Sequence, residues 1–286
     1  MGNTSYNFSA RTLRSEKLNY TSASLDSLFS QNIEKAIHET MLPSKALLRE
    51  CRDSETHPVT IPIIFSLDVT GSMRTIPENL IREGLPKLMS KLIQDGQKDA
   101  SLLFLAIGDH ECDRAPLQVG QFESGDEELD LWLTRTWLEG RGGGNAGESY
   151  LLAWYYAAFH TSTDAFEKRG QKGYLFTVGD EPCLDTLPSN AIKQIMGTEK
   201  ASTYTRQELL AKAQEKFHVF HFHISEDREN KSALKQWEGM LGQNCIDVKD
   251  YRKVPELLAD TLNSHVKFNS AEVTNTTVEN EINVIL

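Results

Sequence analysis

Asp68, Thr70 and Ser72 place one carboxylate and two hydroxyls at i, i+2 and i+4 of a single short turn. All three are hard oxygen donors, which suit Mg²⁺, Mn²⁺ or Ca²⁺ rather than zinc. A further carboxylate, Asp180, opens the segment Asp180-Glu181-Pro182 after an apolar run. Between the two lies the glycine-rich stretch Gly140-Arg141-Gly142-Gly143-Gly144-Asn145-Ala146-Gly147-Glu148-Ser149, which offers Asn145 and Glu148 as further donors. Each feature has a plain structural alternative. An Asp-Thr-Ser turn can simply cap a helix, and a glycine run can serve a tight connection that needs positive φ.

The elements that must position these residues follow from the hydrophobic pattern. The run Ile61-Pro62-Ile63-Ile64-Phe65-Ser66-Leu67 reads as a buried strand that delivers Asp68 into the turn at its end. Thr75 and Glu78 form a capping box and Pro77 lies near the first helical position, so a helix over about residues 77–94 is expected. Pro86 falls inside that pattern and should kink it. Residues 101–107 and 174–178 read as further buried strands, and residues 150–159 as an aromatic helix. Ser124 and Glu127 form a second capping box, opening a helix with Leu129, Trp132, Leu133 and Thr136 on one face. Then come a helix over 206–216, a strand over 217–224, a helix over 231–241, a short strand over 245–248 and a helix over 254–267. Strands alternating with helices imply an α/β fold: a doubly wound, mainly parallel sheet covered by helices on both faces. The oxygen donors then fall at the carboxyl edge of the sheet, where open α/β folds bind ligands.

At these loops the sequence resembles the von Willebrand factor A (vWA) family, whose metal-ion-dependent adhesion site (MIDAS) carries Asp-x-Ser-x-Ser in its first loop. Asp68-x-Thr70-x-Ser72 fits that loop, and Asp-x-Thr-Gly-Ser-Met is similar to the branch of alpha-kinase-associated and cytosolic prokaryotic vWA proteins. Asp180 matches the family's third-loop aspartate. The second loop departs from the common Gly-Gly-Thr-Asn, because Gly144 stands where the metal-binding threonine usually does. Gly143-Gly144-Asn145-x-x-Glu148 instead looks like the Gly-Gly-Asp-x-x-Glu loop of that branch, which leaves Asn145 and Glu148 as candidate substitute ligands. The resemblance spans about residues 58–268 and implies a Rossmann-like fold. Its metal site would be Mg²⁺ (or Mn²⁺ or Ca²⁺) held by Asp68, Thr70, Ser72, Asp180, Asn145 and Glu148. Asp109, Gly143 and Gly144 would support those ligands from behind.

Length and composition agree with one such domain, 58–268, flanked by an N-terminal extension, 1–57, and a tail, 269–286. No stretch approaches the roughly 18 to 20 apolar residues of a membrane span, and the N-terminus carries neither a signal core nor a myristoylation pattern. The four cysteines are scattered without CxxC spacing, which favours reduced thiols and a cytoplasmic location. The net charge is −11, and ten acidic residues fall between Asp109 and Glu148 against Arg114, Arg135 and Arg141. That distribution raises the local cation concentration and disfavours nucleic acid as a partner.

Two other constellations invite metal readings. Asp109-His110-Glu111-Cys112-Asp113 cannot point all its side chains at one ion. His221 and His223 share a strand face but lack a carboxylate motif nearby, so packing or hydrogen bonding is the expected role. Residues 1–30 are either unstructured or docked on the domain, and Ile33, Ala36, Ile37 and Met41 give 28–48 a helical face. The tail carries apolar residues at Val273, Val278, Ile282, Val284 and Ile285, consistent with an added strand, an assembly contact or a frayed end.

Three function classes follow. The first is a non-enzymatic binding module whose metal takes an acidic residue of a partner protein. The family resemblance implies such an assembly role, in some members beside AAA+ ATPases. The second is a metal-dependent phosphoesterase with Asp68 as nucleophile, although Thr70 replaces the second aspartate that an Asp-x-Asp phosphatase needs. The third is a structural protein whose metal staples the loops.

Overall fold

The computed structural model describes residues 4–140, 147–226 and 230–267. Its centre is a six-stranded sheet built from β1 (Ile61–Asp68), β2 (Ala100–Ile107), β3 (Leu117–Val119), β4 (Gly173–Gly179), β5 (Phe217–Ile224) and β6 (Cys245–Val248). The spatial order is β6-β5-β4-β1-β2-β3. All neighbours run parallel except the edge strand β3, which pairs antiparallel with β2. The order reverses between β1 and β4, so their carboxyl ends form the topological switch point of a doubly wound, Rossmann-like α/β fold.

Strands β1, β2, β4 and β5 are buried almost throughout because helices cover both faces. Period-two alternation divides β1 between two cores: Ile63, Phe65 and Leu67 enter one, and Ile64 the other. The first core takes Leu85, Leu88 and Leu92 from helix α1 (Leu85–Gln94). The second takes almost the whole of helix α2 (Leu151–Phe159), together with Trp237 from helix α3 (Lys231–Leu241).

Several local expectations are corrected. No capping box forms at Thr75 and Glu78. A 3₁₀ turn, Gly71–Arg74, runs straight into the helix Thr75–Asn79, and Glu78 accepts instead from Arg82 Nε at 2.9 Å. The helix expected over 77–94 runs on through a π turn, Leu80–Gly84, immediately before α1 and Pro86, so the interruption expected of Pro86 takes the form of a widened turn, and the Ile81 carbonyl within it accepts from Arg11. Ser124 does not cap a helix either. Its hydroxyl donates to the Ala100 carbonyl at 2.9 Å, and the helix Asp126–Thr134 starts after Gly125. Residues 28–48 hold only short turns, and Ile33 is exposed. The segment before residue 58 is packed on the domain: its helix Phe8–Lys17 sends Arg11 and Arg14 onto Asp126 and Asp130, while Tyr20 and Phe29 join the first core. The tail's apolar residues lie outside the described residues.

Candidate functional site

Asp68 is the last residue of β1, and alternation turns it toward the face covered by α2. There Tyr150, immediately before α2, donates its hydroxyl to Asp68 Oδ2 at 2.8 Å. On the other oxygen, Oδ1 accepts from the Thr70 backbone N–H at 2.8 Å and from the Thr70 hydroxyl at 2.6 Å. Thr70's hydroxyl proton is therefore committed to Asp68, and the lone pairs of its oxygen are left to accept from another group or to ligate a cation. Asp68 and Thr70 are both buried. Ser72 lies in the following turn, Gly71–Arg74.

Asp180 leaves the end of β4, directly across the switch point, and is buried. Glu148 is tied to the same loop by two backbone bonds, from its N–H to the Pro182 carbonyl at 2.8 Å and from the Leu184 N–H to its own carbonyl at 3.1 Å. Its side chain is 4 % exposed, and its Oε2 has no hydrogen-bond partner among the described residues. Burial, together with the negative charges of Asp68, Asp113, Asp109 and Glu181, pushes the Glu148 carboxyl up to about 10. Burial raises Asp68 to about 7, with Asp180 adding to the rise and the bonds from Thr70 and Tyr150 opposing it. Carboxylates gathered in this way require a proton or a cation.

Asp109 Oδ1 accepts from the Glu111 N–H at 2.9 Å and the Ser149 hydroxyl at 3.4 Å. Ser149 separates Glu148 from Tyr150 and also accepts from the His110 N–H at 2.9 Å. Asp109 thus braces the base of the second loop. Asn145, Gly143 and Gly144 lie outside the described residues.

Among the described residues, no three His, Cys, Asp or Glu side chains converge closely enough to hold a metal ion by themselves. The Asp109–Asp113 string accordingly makes no separate centre. The donor set at the switch point nonetheless fits a hard divalent cation, because the Thr70 hydroxyl supplies a neutral oxygen beside buried carboxylates.

His221 and His223 are both fully buried. His221 packs its ring flat on Trp237, with centroids 3.6 Å apart and planes 8° from parallel, and its Nδ1 pairs with Thr177 Oγ1 at 2.9 Å. His223 lies level with Gly179 on the neighbouring strand, and neither of its ring nitrogens has a partner among the described residues. Burial lowers the pKa of both rings, so they are neutral at pH 7. Sequence reasoning missed Tyr150 and Trp237. The one available signal was an aromatic residue two positions after Glu148.

Neither a family model nor a curated protein matches this chain. Among solved structures, the pilus adhesin SpaC from Lactobacillus rhamnosus GG is similar at 10% identity, with a TM-score of 0.48, covering 76% of this chain and 31% of its own. A von Willebrand factor type A structure from Catenulispora acidiphila is similar at 16% identity, with a TM-score of 0.39, covering 71% of this chain and 42% of its own. An aerotolerance-related membrane protein from Bacteroides fragilis is similar at 13% identity, with a TM-score of 0.42, covering 71% of this chain and 99% of its own. This chain spans about a third of the adhesin's length. Likeness at this level carries no residue roles, and the fold class rests on the strand order and on the position of Asp68 and Asp180 at its reversal.

Proposed function

We propose that the chain is a metal-dependent protein-binding module of vWA type, in which a divalent cation ligates an acidic residue of a partner protein. The observation that carries this reading is the Thr70 hydroxyl, whose proton is fixed on Asp68 and whose oxygen accepts from no donor among the described residues, beside buried and mutually repelling carboxylates. The Thr70 and Ser72 hydroxyls would hold Mg²⁺ or Mn²⁺ directly, Asp68 and Asp180 would bind it directly or through water, and Glu148 and Asn145 would be further donors from the second loop. The cation would supply an open coordination position for a carboxylate. Asp68 would present one remaining lone pair on Oδ2, and Asp109 would keep the second loop in place through Ser149. Four unbridged cysteines are compatible with an intracellular assembly.

A second reading has one observation in its favour. Glu148, held protonated close to an Asp68 of lower pKa, is a carboxylic acid beside a carboxylate, the pairing used in acid–base catalysis. Asp68 would then be the nucleophile of a metal-dependent phosphoesterase. Three donated hydrogen bonds already on Asp68 weigh against it, because each lowers nucleophilicity.

One pair of measurements separates the two. Pull-down from native lysate with Mg²⁺ should capture a partner that EDTA releases, while a phosphoester panel with Mg²⁺ should show no turnover. Capture that is indifferent to EDTA would overturn the module reading, and turnover abolished by Asp68→Asn would establish the enzyme.

A further inference from the structure

Tyr150 is packed on every side at the switch point. A Cβ on Gly179 would come within 1.8 Å of its hydroxyl oxygen, so only glycine at 179 allows the phenol to reach Asp68. The Tyr150 ring meets His221 edge-on at 5.5 Å and Trp237 edge-on at 5.3 Å. Trp237 stacks on His221 and donates its indole N–H to the Glu181 carbonyl at 3.1 Å. The aromatic group therefore links Asp68 of the first loop to Glu181 of the third, through rigid rings with almost no rotamer freedom left.

We infer that Tyr150 is the positioning residue of the metal site, fixing the Asp68 carboxylate plane and occupying one lone pair of Oδ2 so that Asp68 meets a cation through a single oxygen direction. This rests on the metal-site reading above. Partners that orient a ligating side chain typically account for about 10- to 100-fold in metal affinity. A hydroxyl held by this packing has little freedom to serve any other acceptor.

The test is Mn²⁺ titration by calorimetry, with the electron paramagnetic resonance spectrum of the bound ion, on the full chain and four variants. Tyr150→Phe keeps the ring packing and removes only the bond to Asp68; it should bind Mn²⁺ about tenfold more weakly and broaden the spectrum. Gly179→Ala, whose Cβ would displace the phenol from its place beside Asp68, should do the same. Tyr156→Phe is the control, since it removes an equally buried hydroxyl that donates to the Ala46 carbonyl at 2.6 Å, away from the site. It should leave affinity and spectrum unchanged. Asp68→Ala tests the underlying reading, because wild-type binding in that variant means there is no metal site here. If Asp68→Ala loses Mn²⁺ while folded Tyr150→Phe and Gly179→Ala bind like wild type, the metal site stands and the role given to Tyr150 is wrong. Equal weakening in Tyr156→Phe would reduce the effect to general stability and also overturn the inference.

Discussion

Thr70 donates both its backbone N–H and its hydroxyl to the same oxygen of Asp68, at 2.8 and 2.6 Å. The pairing keeps that carboxylate ionisable despite full burial and leaves the hydroxyl oxygen able to ligate. Thr70→Ser preserves both donors, whereas Thr70→Val keeps the shape and loses the hydroxyl. Divalent affinity should therefore be close to wild type in Thr70→Ser and lower by about tenfold or more in Thr70→Val. Calorimetry with Mn²⁺ decides it, and equal affinities in the two variants would remove Thr70 from the site.

Trp237 is fully buried between His221 and Tyr150. Trp237→Ala should cost about 3–5 kcal/mol, read as a lowered urea midpoint. Trp237→Phe should cost less, because the stack on His221 survives while the bond to the Glu181 carbonyl is lost.

The N-terminal helix is held by a buried ion pair. Arg11 Nε meets Asp130 Oδ1 at 2.7 Å, and both side chains are buried. Burial raises Asp130 to about 6 even against the pull of Arg11 and Arg14. Arg11→Met would leave that carboxylate with Arg14 alone, at 2.9 Å, and should cost about 1–3 kcal/mol. The double variant Arg11→Met/Asp130→Leu should recover most of the loss. Chemical denaturation of the three proteins measures both, and a double variant no better than the single one would refute the account.

Acid stability should depend on Asp164. Burial alone would raise its pKa, but hydrogen bonds from Lys168, the Asp53 N–H and Arg52 outweigh it and hold the carboxyl at about 2. A folded-state pKa below the ordinary 3.8 contributes stability that is present above pH 4 and lost as pH falls toward 2. Asp164→Asn should therefore flatten the loss of urea resistance between about pH 4 and pH 2 and lower stability at pH 7. An unchanged acid slope would show that other carboxylates set it.

Most of the sheet was readable in the sequence because its buried parallel strands are mainly apolar and β-branched or aromatic. Residues 217–224 and 245–248 match the strands Phe217–Ile224 and Cys245–Val248 to the residue. The edge strand β3 and the pair Arg49–Cys51 with Thr161–Thr163 were not readable, since three residues carry no periodicity. Capping signals misled where a competing acceptor was closer. Ser124 prefers the Ala100 carbonyl, and a contact over that sequence distance leaves no local trace. Asp68, Thr70 and Asp180 could be read as a group because each lies at or just after the carboxyl end of a strand. Tyr150 could not, because its bond to Asp68 spans 82 positions and depends on the space left by Gly179.

The last expectation concerns partner binding. Neutral hydroxyls among its direct ligands leave the cation more of its charge than a shell of carboxylates alone would, so an incoming Asp or Glu can complete that shell. Glu148, pushed to about 10, carries a proton at pH 7 in the metal-free site and does not cancel that charge until it ionises to ligate. The surrounding acidic residues repel acidic surfaces, so the partner should present a single carboxylate on a neutral or basic face. Chelation, Asp68→Ala and Ser72→Ala all act on the same cation. Each should weaken the partner complex by a similar factor, and combining EDTA with either substitution should weaken it no further, because groups that act as one unit are not additive. Surface plasmon resonance on the partner recovered by pull-down gives the three constants. If EDTA and Ser72→Ala losses multiply, the hydroxyl contacts the partner directly. If the complex keeps full strength under EDTA and in Asp68→Ala, it forms on another surface and the metal mechanism fails.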